Sequence, residues 1–202
     1  MPRLQCPRCT RPSNRCLCAL IPHLPSRTRV LILQHPSEVQ HALNTARLAV
    51  LGLTNAELWV GEVFDTLPAL LKQPGYRACL LFPGEQAEAL LPFAEQSHDI
   101  PLLLVVPDGT WRKARKLLHL NPLLAALPRV MLPPGLQSRY RLRKAPMPGA
   151  ISTIEAIVSA LNIIEAPSCF DTLLAPFEAL IEGQIQAMGE HTFQRNHADA
   201  VG

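Results

Sequence analysis

Carboxylates are missing from two long stretches of this 202-residue chain, Met1–Arg29 and Gly109–Ile154. Those stretches carry 15 of the 19 Lys and Arg residues. The first holds Arg3, Arg8, Arg11, Arg15, Arg27 and Arg29; the second holds Arg112, Lys113, Arg115, Lys116, Arg129, Arg139, Arg141, Arg143 and Lys144. A net charge of only +3 says little about partners. The segregation says more, because 46 consecutive residues without an acid are the electrostatic footprint of a polyanion partner. Also missing is any apolar run close to the roughly 18 residues of a membrane span. The amino terminus lacks the apolar h-region of a signal peptide. A cytoplasmic protein with no membrane segment is expected, whose cysteines are metal ligands or buried thiols rather than disulfides. No internal repeat is visible. With 48% of its residues apolar, the chain suits one α/β domain with a small appendage.

Cys6-Pro-Arg-Cys9 and Cys16-Leu-Cys18 place four thiols within 13 residues, with little apolar material among them. That spacing points to a tetrahedral Cys₄ zinc site. The second pair is tighter than the x₂ spacing of common zinc ribbons, and an adventitious redox cluster is the competing reading. Four thiolates leave no open coordination position, so zinc here is structural. The knuckle's loop arginines, Arg8, Arg11 and Arg15, are expected to face outward.

After the proline-broken linker Ala19–Ser26, Arg29–Gln34 reads as the first strand. Pro36 or Ser37 then opens a helix through about Leu51, closed by Gly52. His35 precedes a proline and is therefore extended, which can turn its ring toward a cleft. Glu57–Val60 and Arg77–Phe82 read as strands, Thr66–Lys72 and Gln86–Phe93 as helices. Cys79 and Cys169 look like small buried hydrophobes. Arg129–Leu132 is a fifth strand, and Phe170–Met188 a final amphipathic helix. Alternating strands and helices imply an α/β fold: a mostly parallel sheet with helices on both faces.

Leu102–Leu120 is the stretch around which the rest is arranged. Leu102–Val106 is a buried strand, Pro107 stops it, and Asp108-Gly109-Thr110 supplies turn and cap chemistry before a helix from Trp111. A carboxylate, a hydroxyl and backbone N–H groups thus gather at the carboxyl end of a strand, where open α/β sheets place ligands. Pro133–Gly149 is rich in proline and glycine and contains Arg139-Tyr-Arg-Leu-Arg-Lys144. A tyrosine between arginines offers a stacking surface among phosphate contacts, as RNA binders do; a solvated basic loop is the alternative. Ser152-Thr-Ile-Glu155 matches a capping box, which alone accounts for both end residues.

These residues resemble a known family, the DTW-domain proteins. The Asp-x-Thr-Trp element is Asp108-Gly109-Thr110-Trp111. The cysteine cluster, His35-Pro36 with Asn44-Thr45-Ala46-Arg47, Tyr140-Arg-Leu-Arg-Lys144 and Ser152-Thr-Ile-Glu-Ala156 complete the set in order, spanning about Cys6–Ala160. The resemblance implies a tRNA-uridine aminocarboxypropyltransferase. Such an enzyme moves the 3-amino-3-carboxypropyl group of S-adenosylmethionine to N3 of a tRNA uridine, in the variable loop, and leaves methylthioadenosine. It also implies a SPOUT-like, trefoil-knotted domain, which no periodicity in the sequence shows.

On that footing residues 1–26 form the knuckle and linker, 27–188 the catalytic domain, and 189–202 a fraying tail. Uridine N3 is a poor nucleophile until its proton leaves, so a base is needed. Asp108 is the first choice and His35 the second. Asp108 can alternatively hold the donor's ammonium or steady its sulfonium. The donor pocket is expected from Pro83, Gly84, Val106, Pro107, Asp108, Gly109, Thr110, Trp111, Ser152, Thr153 and Glu155. The RNA surface is expected from Arg112, Arg115, Lys116, Arg139, Tyr140, Arg141, Arg143 and Lys144, and the metal site from Cys6, Cys9, Cys16 and Cys18. A monomer is expected. The rival readings are an S-adenosylmethionine-dependent RNA methyltransferase and a non-catalytic, zinc-containing RNA-binding protein.

Overall fold

Two strands, β1 (Arg29–Gln34) and β5 (Leu102–Asp108), lie side by side at the heart of a parallel sheet. The computed structural model describes residues 4–96, 99–140, 142, 150–189, 192 and 195. Within them six strands form one sheet in the order β2-β1-β5-β3-β6-β4, every neighbouring pair parallel. The others are β2 (Ala56–Val60), β3 (Arg77–Leu81), β4 (Glu88–Ala89) and β6 (Arg129–Met131).

Because side chains alternate along a strand, β1 and β5 feed two separate cores. Val30, Ile32, Leu102, Leu104 and Val106 point to one face. There they meet α1 (Ala46–Gly52), α3 (Leu90–Glu95), α6 (Thr153–Ile164) and α7 (Ala175–Met188). Leu31, Leu33, Leu103 and Val105 point to the other, against α2 (Leu67–Leu71), α4 (Trp111–Leu120) and α5 (Pro122–Ala125). The mostly parallel α/β sheet with helices on both faces is as expected. Gln34 and Asp108 share the parity of Ile32 and Val106, so both belong to the α6 face.

Several expectations need correction. Pro36–Leu51 is not one helix. A single 3₁₀ turn, Pro36–Glu38, is followed by irregular chain, and α1 begins only at Ala46. The reason is capture of backbone acceptors: Asn44 Nδ2 donates to the carbonyls of Glu38 and Val39, and Arg11, from far along the chain, donates to those of Ala42 and Asn44. Side chains thus take the acceptors that helix continuation would use. Gln86–Phe93 is not helical throughout either, since Glu88–Ala89 pair with β6 before α3 starts. The last helix is preceded by a 3₁₀ turn, Asp171–Leu174. Cys79 is buried, and burial pushes its thiol up to about 12, but Cys169 is exposed. Gly52 does end α1, though by close packing: a Cβ there would sit 2.3 Å from Leu173 Cδ1. No helix among the described residues is long and apolar enough to cross a membrane.

Candidate active site

From β1 the chain crosses to β2, and from β5 it crosses the other way, to β6. The two adjacent strands therefore form a topological switch point, whose carboxyl edge opens a crevice. The register sets Gln34 directly beside Asp108. Gln34 is 1% and Asp108 8% exposed, so both are polar groups inside an apolar layer and need partners. Gln34 Nε2 donates to Asp108 Oδ2 at 2.8 Å, and Thr153 Oγ1, from the first turn of α6, donates to Asp108 Oδ1. Gln34 is itself held by Asn44: its Nε2 donates to Asn44 Oδ1 at 3.2 Å, and Asn44 Nδ2 donates to Gln34 Oε1 at 3.4 Å.

Burial raises the Asp108 pKa above the usual carboxylate range, against the pull of the Thr153 and Gln34 hydrogen bonds, and the nearby charge of Glu38 adds to the rise. The carboxyl lines a cleft of about 330 Å³ together with Glu38, His41, Asn44, Thr110 and Thr153. That volume lies at the small end of ligand sites. A carboxyl whose pKa is raised by burial and that faces such a cleft is a candidate proton acceptor.

The turn beyond Asp108 depends on glycine. Gly109 has φ +151°, and a Cβ would lie 3.1 Å from Lys113 Cβ. Thr110 then caps α4, its hydroxyl accepting from Lys113 N at 3.4 Å. On the other side Ser152 and Glu155 form a complete capping box for α6. Asp108, Gly109, Thr110, Ser152 and Thr153 of the expected donor residues thus line one cleft. The others are elsewhere. Val106 and Pro107 lie within β5. Trp111 packs edge-on to Phe82, ring centroids 5.6 Å apart, on the opposite face. Pro83 and Gly84 are exposed beyond β3, past β5 from the cleft. Glu155 is spent on caps.

His35 is turned away from the cleft. Its Nδ1 accepts from Ser37 N at 3.3 Å and lies 2.9 Å from Ser37 Oγ, while Nε2 meets Glu62 at 2.8 Å. Both ring nitrogens thus have partners. Sequence reasoning passed over Gln34 altogether and gave Asn44 no role. The signal was present: Gln34, like Asp108, is the lone polar side chain closing a buried strand.

The expected RNA surface is divided. Arg112 and Arg115 are exposed on α4. Lys116 is paired with Glu62 at 2.7 Å, and Arg139 with Glu178 at 2.5 Å. Tyr140 does not present a free stacking face: it is 9% exposed and packs edge-to-face on Phe177, because its ring completes the α7 core. Arg141, Arg143 and Lys144 lie outside the described residues, as does most of the 189–202 tail.

At the amino terminus the Sγ atoms of Cys6, Cys9, Cys16 and Cys18 all lie within 4.8 Å of one another, with 3.6 Å between Cys6 and Cys18 and 3.8 Å between Cys9 and Cys16. A tetrahedron with Zn–S bonds of about 2.3 Å has S···S edges of roughly 3.8 Å, so the four thiols fit that ion. Backbone N–H groups of Cys9 and Arg8 bring the Cys6 thiol down to about 6, whereas burial and the other thiols push Cys18 up to about 12. A divalent cation would remove that mutual conflict. Two expectations about this region change. Leu17, between the last two cysteines, is buried in the main core. Arg11 does not face outward: it reaches 31 residues along the chain to donate to Ala42 O at 2.8 Å, and to Asn44 O at 3.2 Å.

Fold and cleft define an α/β domain with a cavity at the switch point of a parallel sheet. Residues 3–185 match the DTW domain, and the chain belongs to that family. It is 31% identical over 205 residues to tRNA-uridine aminocarboxypropyltransferase 2 of Macaca fascicularis, covering 96% of this chain and 68% of the relative. The Mus musculus protein of the same name is 32% identical over 194 residues, 91% of this chain and 64% of the relative. An Arabidopsis thaliana tRNA-uridine aminocarboxypropyltransferase A is 29% identical, over 79% of this chain and 72% of its own length. No solved structure matches the chain.

Proposed function

We infer that this protein is a tRNA-uridine aminocarboxypropyltransferase with S-adenosylmethionine as donor substrate. The observation that carries the reading is Asp108, buried with a raised pKa at the switch-point cleft, in the very tetrapeptide that characterises the family. The reaction joins uridine N3 to Cγ of the aminocarboxypropyl group. The Cγ–S bond breaks, its electron pair goes to the sulfonium sulfur, and neutral methylthioadenosine leaves. The N3 proton goes to a base, whose help is typically worth 10²–10⁴-fold. Asp108 takes that proton, and Gln34 and Thr153 aim its carboxyl. Thr110, Ser152 and the backbone N–H groups at the two helix starts supply donors for the carboxylate of the aminocarboxypropyl group. His35 fixes the turn after β1.

Four thiolates in the knuckle of residues 1–26 hold one structural zinc, to be checked by elemental analysis of protein purified without added metal. Residues 27–188 form the catalytic domain, with a SPOUT-like knotted connection carried over from the family resemblance, and 189–202 a tail. Arg112 and Arg115, exposed on α4, are available for tRNA phosphates, and Arg141, Arg143 and Lys144 are assigned the same role from the sequence. The enzyme acts as a cytoplasmic monomer. The test is to incubate tRNA with donor labelled separately in the methyl and the carboxypropyl carbons. Carboxypropyl label should enter tRNA. Methyl label would indicate a methyltransferase instead, and neither label a binding protein.

A further inference from the structure

The cations of the basic 109–154 stretch are partly neutralised in space. Lys113 pairs with Glu38, Lys116 with Glu62 and Arg139 with Glu178. At the amino-terminal end Arg29 pairs with Glu57, but the arginines of the cysteine knuckle and Arg47 of α1 are held differently. A groove of about 1050 Å³ runs between the cysteine knuckle, the segment after β1 and α7, and no Asp or Glu among the described residues lines it. Arg11, Arg15 and Arg47 do line it. Arg11 is fixed by the carbonyls of Ala42 and Asn44, and Arg47 Nε donates to Arg8 O at 3.0 Å. Carbonyl partners hold a guanidinium in place while leaving its charge uncancelled. No ion pair among the described residues involves any of these three.

The groove also has a destination. His41 and Asn44 line both it and the Asp108 cleft, and Gln34, which donates to Asp108, lies in its wall. The groove and the Asp108 cleft therefore adjoin, with His41 and Asn44 between them. Between the arginines it exposes amides, among them Asn14, Gln40 and Gln184. Fixed guanidinium groups with interspersed amides form a donor set for phosphate oxygens, sugar hydroxyls and base edges.

We propose that this groove carries the tRNA strand flanking the target uridine, with Arg11, Arg15 and Arg47 on consecutive phosphates and the uridine base delivered past Asn44 to Asp108. The inference rests on the transferase reading and adds that the cysteine knuckle forms one wall of the RNA track. It also moves the main RNA surface away from the 139–144 loop.

The test uses the full chain carrying Arg15→Glu together with Gln184→Glu, one change on each wall, neither side chain bonded to the Asp108 network or to a cysteine. Zinc content, melting temperature and S-adenosylmethionine affinity should match the wild type. Affinity for tRNA should fall at least ~10-fold, and its salt slope should drop by about 0.7–0.9 for each phosphate no longer engaged. Arg112→Glu with Arg115→Glu on α4 serves as the comparison and should cost tRNA affinity only ~3-fold. Unchanged tRNA affinity in the groove variant, with transfer activity intact in the wild type, overturns the groove alone. A wild-type protein that binds polyglutamate at the groove but neither binds nor modifies tRNA overturns the transferase reading along with it.

Discussion

Asp108 and Glu155 are both buried carboxylates, at 8% and 5% exposure, yet only Asp108 lines the cleft, and the two draw on different kinds of hydrogen-bond donor. Glu155 accepts from two backbone N–H groups, Arg139 N at 2.6 Å and Ser152 N at 2.7 Å, and from the Ser138 hydroxyl at 3.0 Å. Its backbone donors are built into the chain and cannot withdraw. The donors of Asp108 are the side chains of Gln34 and Thr153. A hydroxyl can rotate, so the Thr153 partner can follow a change of protonation. Backbone donors make a carboxylate a fastener, while side-chain donors leave it able to trade a proton.

The largest expected effect breaks this comparison at its reactive end. Asp108→Asn keeps the shape, and the Thr153 hydroxyl can still donate to the amide oxygen placed at Oδ1. Fold and donor affinity should hold while single-turnover transfer falls at least ~10²-fold. A near-normal rate would remove Asp108 from the chemistry. Loss of affinity for S-adenosylmethionine but not for methylthioadenosine would make it an ammonium clamp.

Next in size is Glu155→Ala, which leaves buried N–H groups without acceptors. It should destabilise by about 3 kcal/mol, or roughly 6–12 °C in melting temperature for a domain of this size. Turnover per folded molecule, measured well below the transition, should change far less than in Asp108→Asn. If turnover collapses while stability holds, the two carboxylates have been assigned the wrong way round. Gly52→Ala should follow at about 1–3 kcal/mol, since its methyl would meet Leu173; thermal unfolding checks this.

A subtler effect concerns pH. The wild-type single-turnover rate should climb with pH along an acid limb displaced above the ordinary aspartate value of 3.8, because burial raises the Asp108 pKa. Gln34→Ala removes a hydrogen bond that lowers that pKa, so the limb should move further up. Stability follows with a defined sign. A raised acid pKa contributes stability that is complete below 3.8 and lost as pH rises through the folded-state pKa. The melting temperature of Asp108→Asn should therefore gain on that of the wild type as pH rises across that window. Parallel curves would show that Asp108 titrates normally.

Much of this was legible in the residues. Apolar runs such as RVLILQ and LLLVV identify β1 and β5, and the Asp-Gly-Thr turn identifies the site. Most of what escaped depends on partners distant in sequence. β4 has two exposed residues and exists only because β6 passes alongside. Arg11 looks like one more surface cation until the Ala42 carbonyl is placed beside it. Tyr140 looks like a platform between arginines until Phe177 covers it. The segregation of charge was real, but acids from distant elements reached four of the cations, Arg29, Lys113, Lys116 and Arg139.

The neighbouring positions of Gln34 and Asp108 have a consequence for how the enzyme is made. The residues are 74 apart in sequence, and parallel strands have no hairpin to zip them together. Closing that separation costs chain entropy before any pairing repays it, so β1 and β5 are expected to join slowly. A slip of one residue would also turn Gln34 to the opposite face of the sheet, leaving Asp108 without its amide. Catalytic competence in this chain is thus a late event in folding, and recovery of turnover after dilution from denaturant should trail the recovery of helical signal.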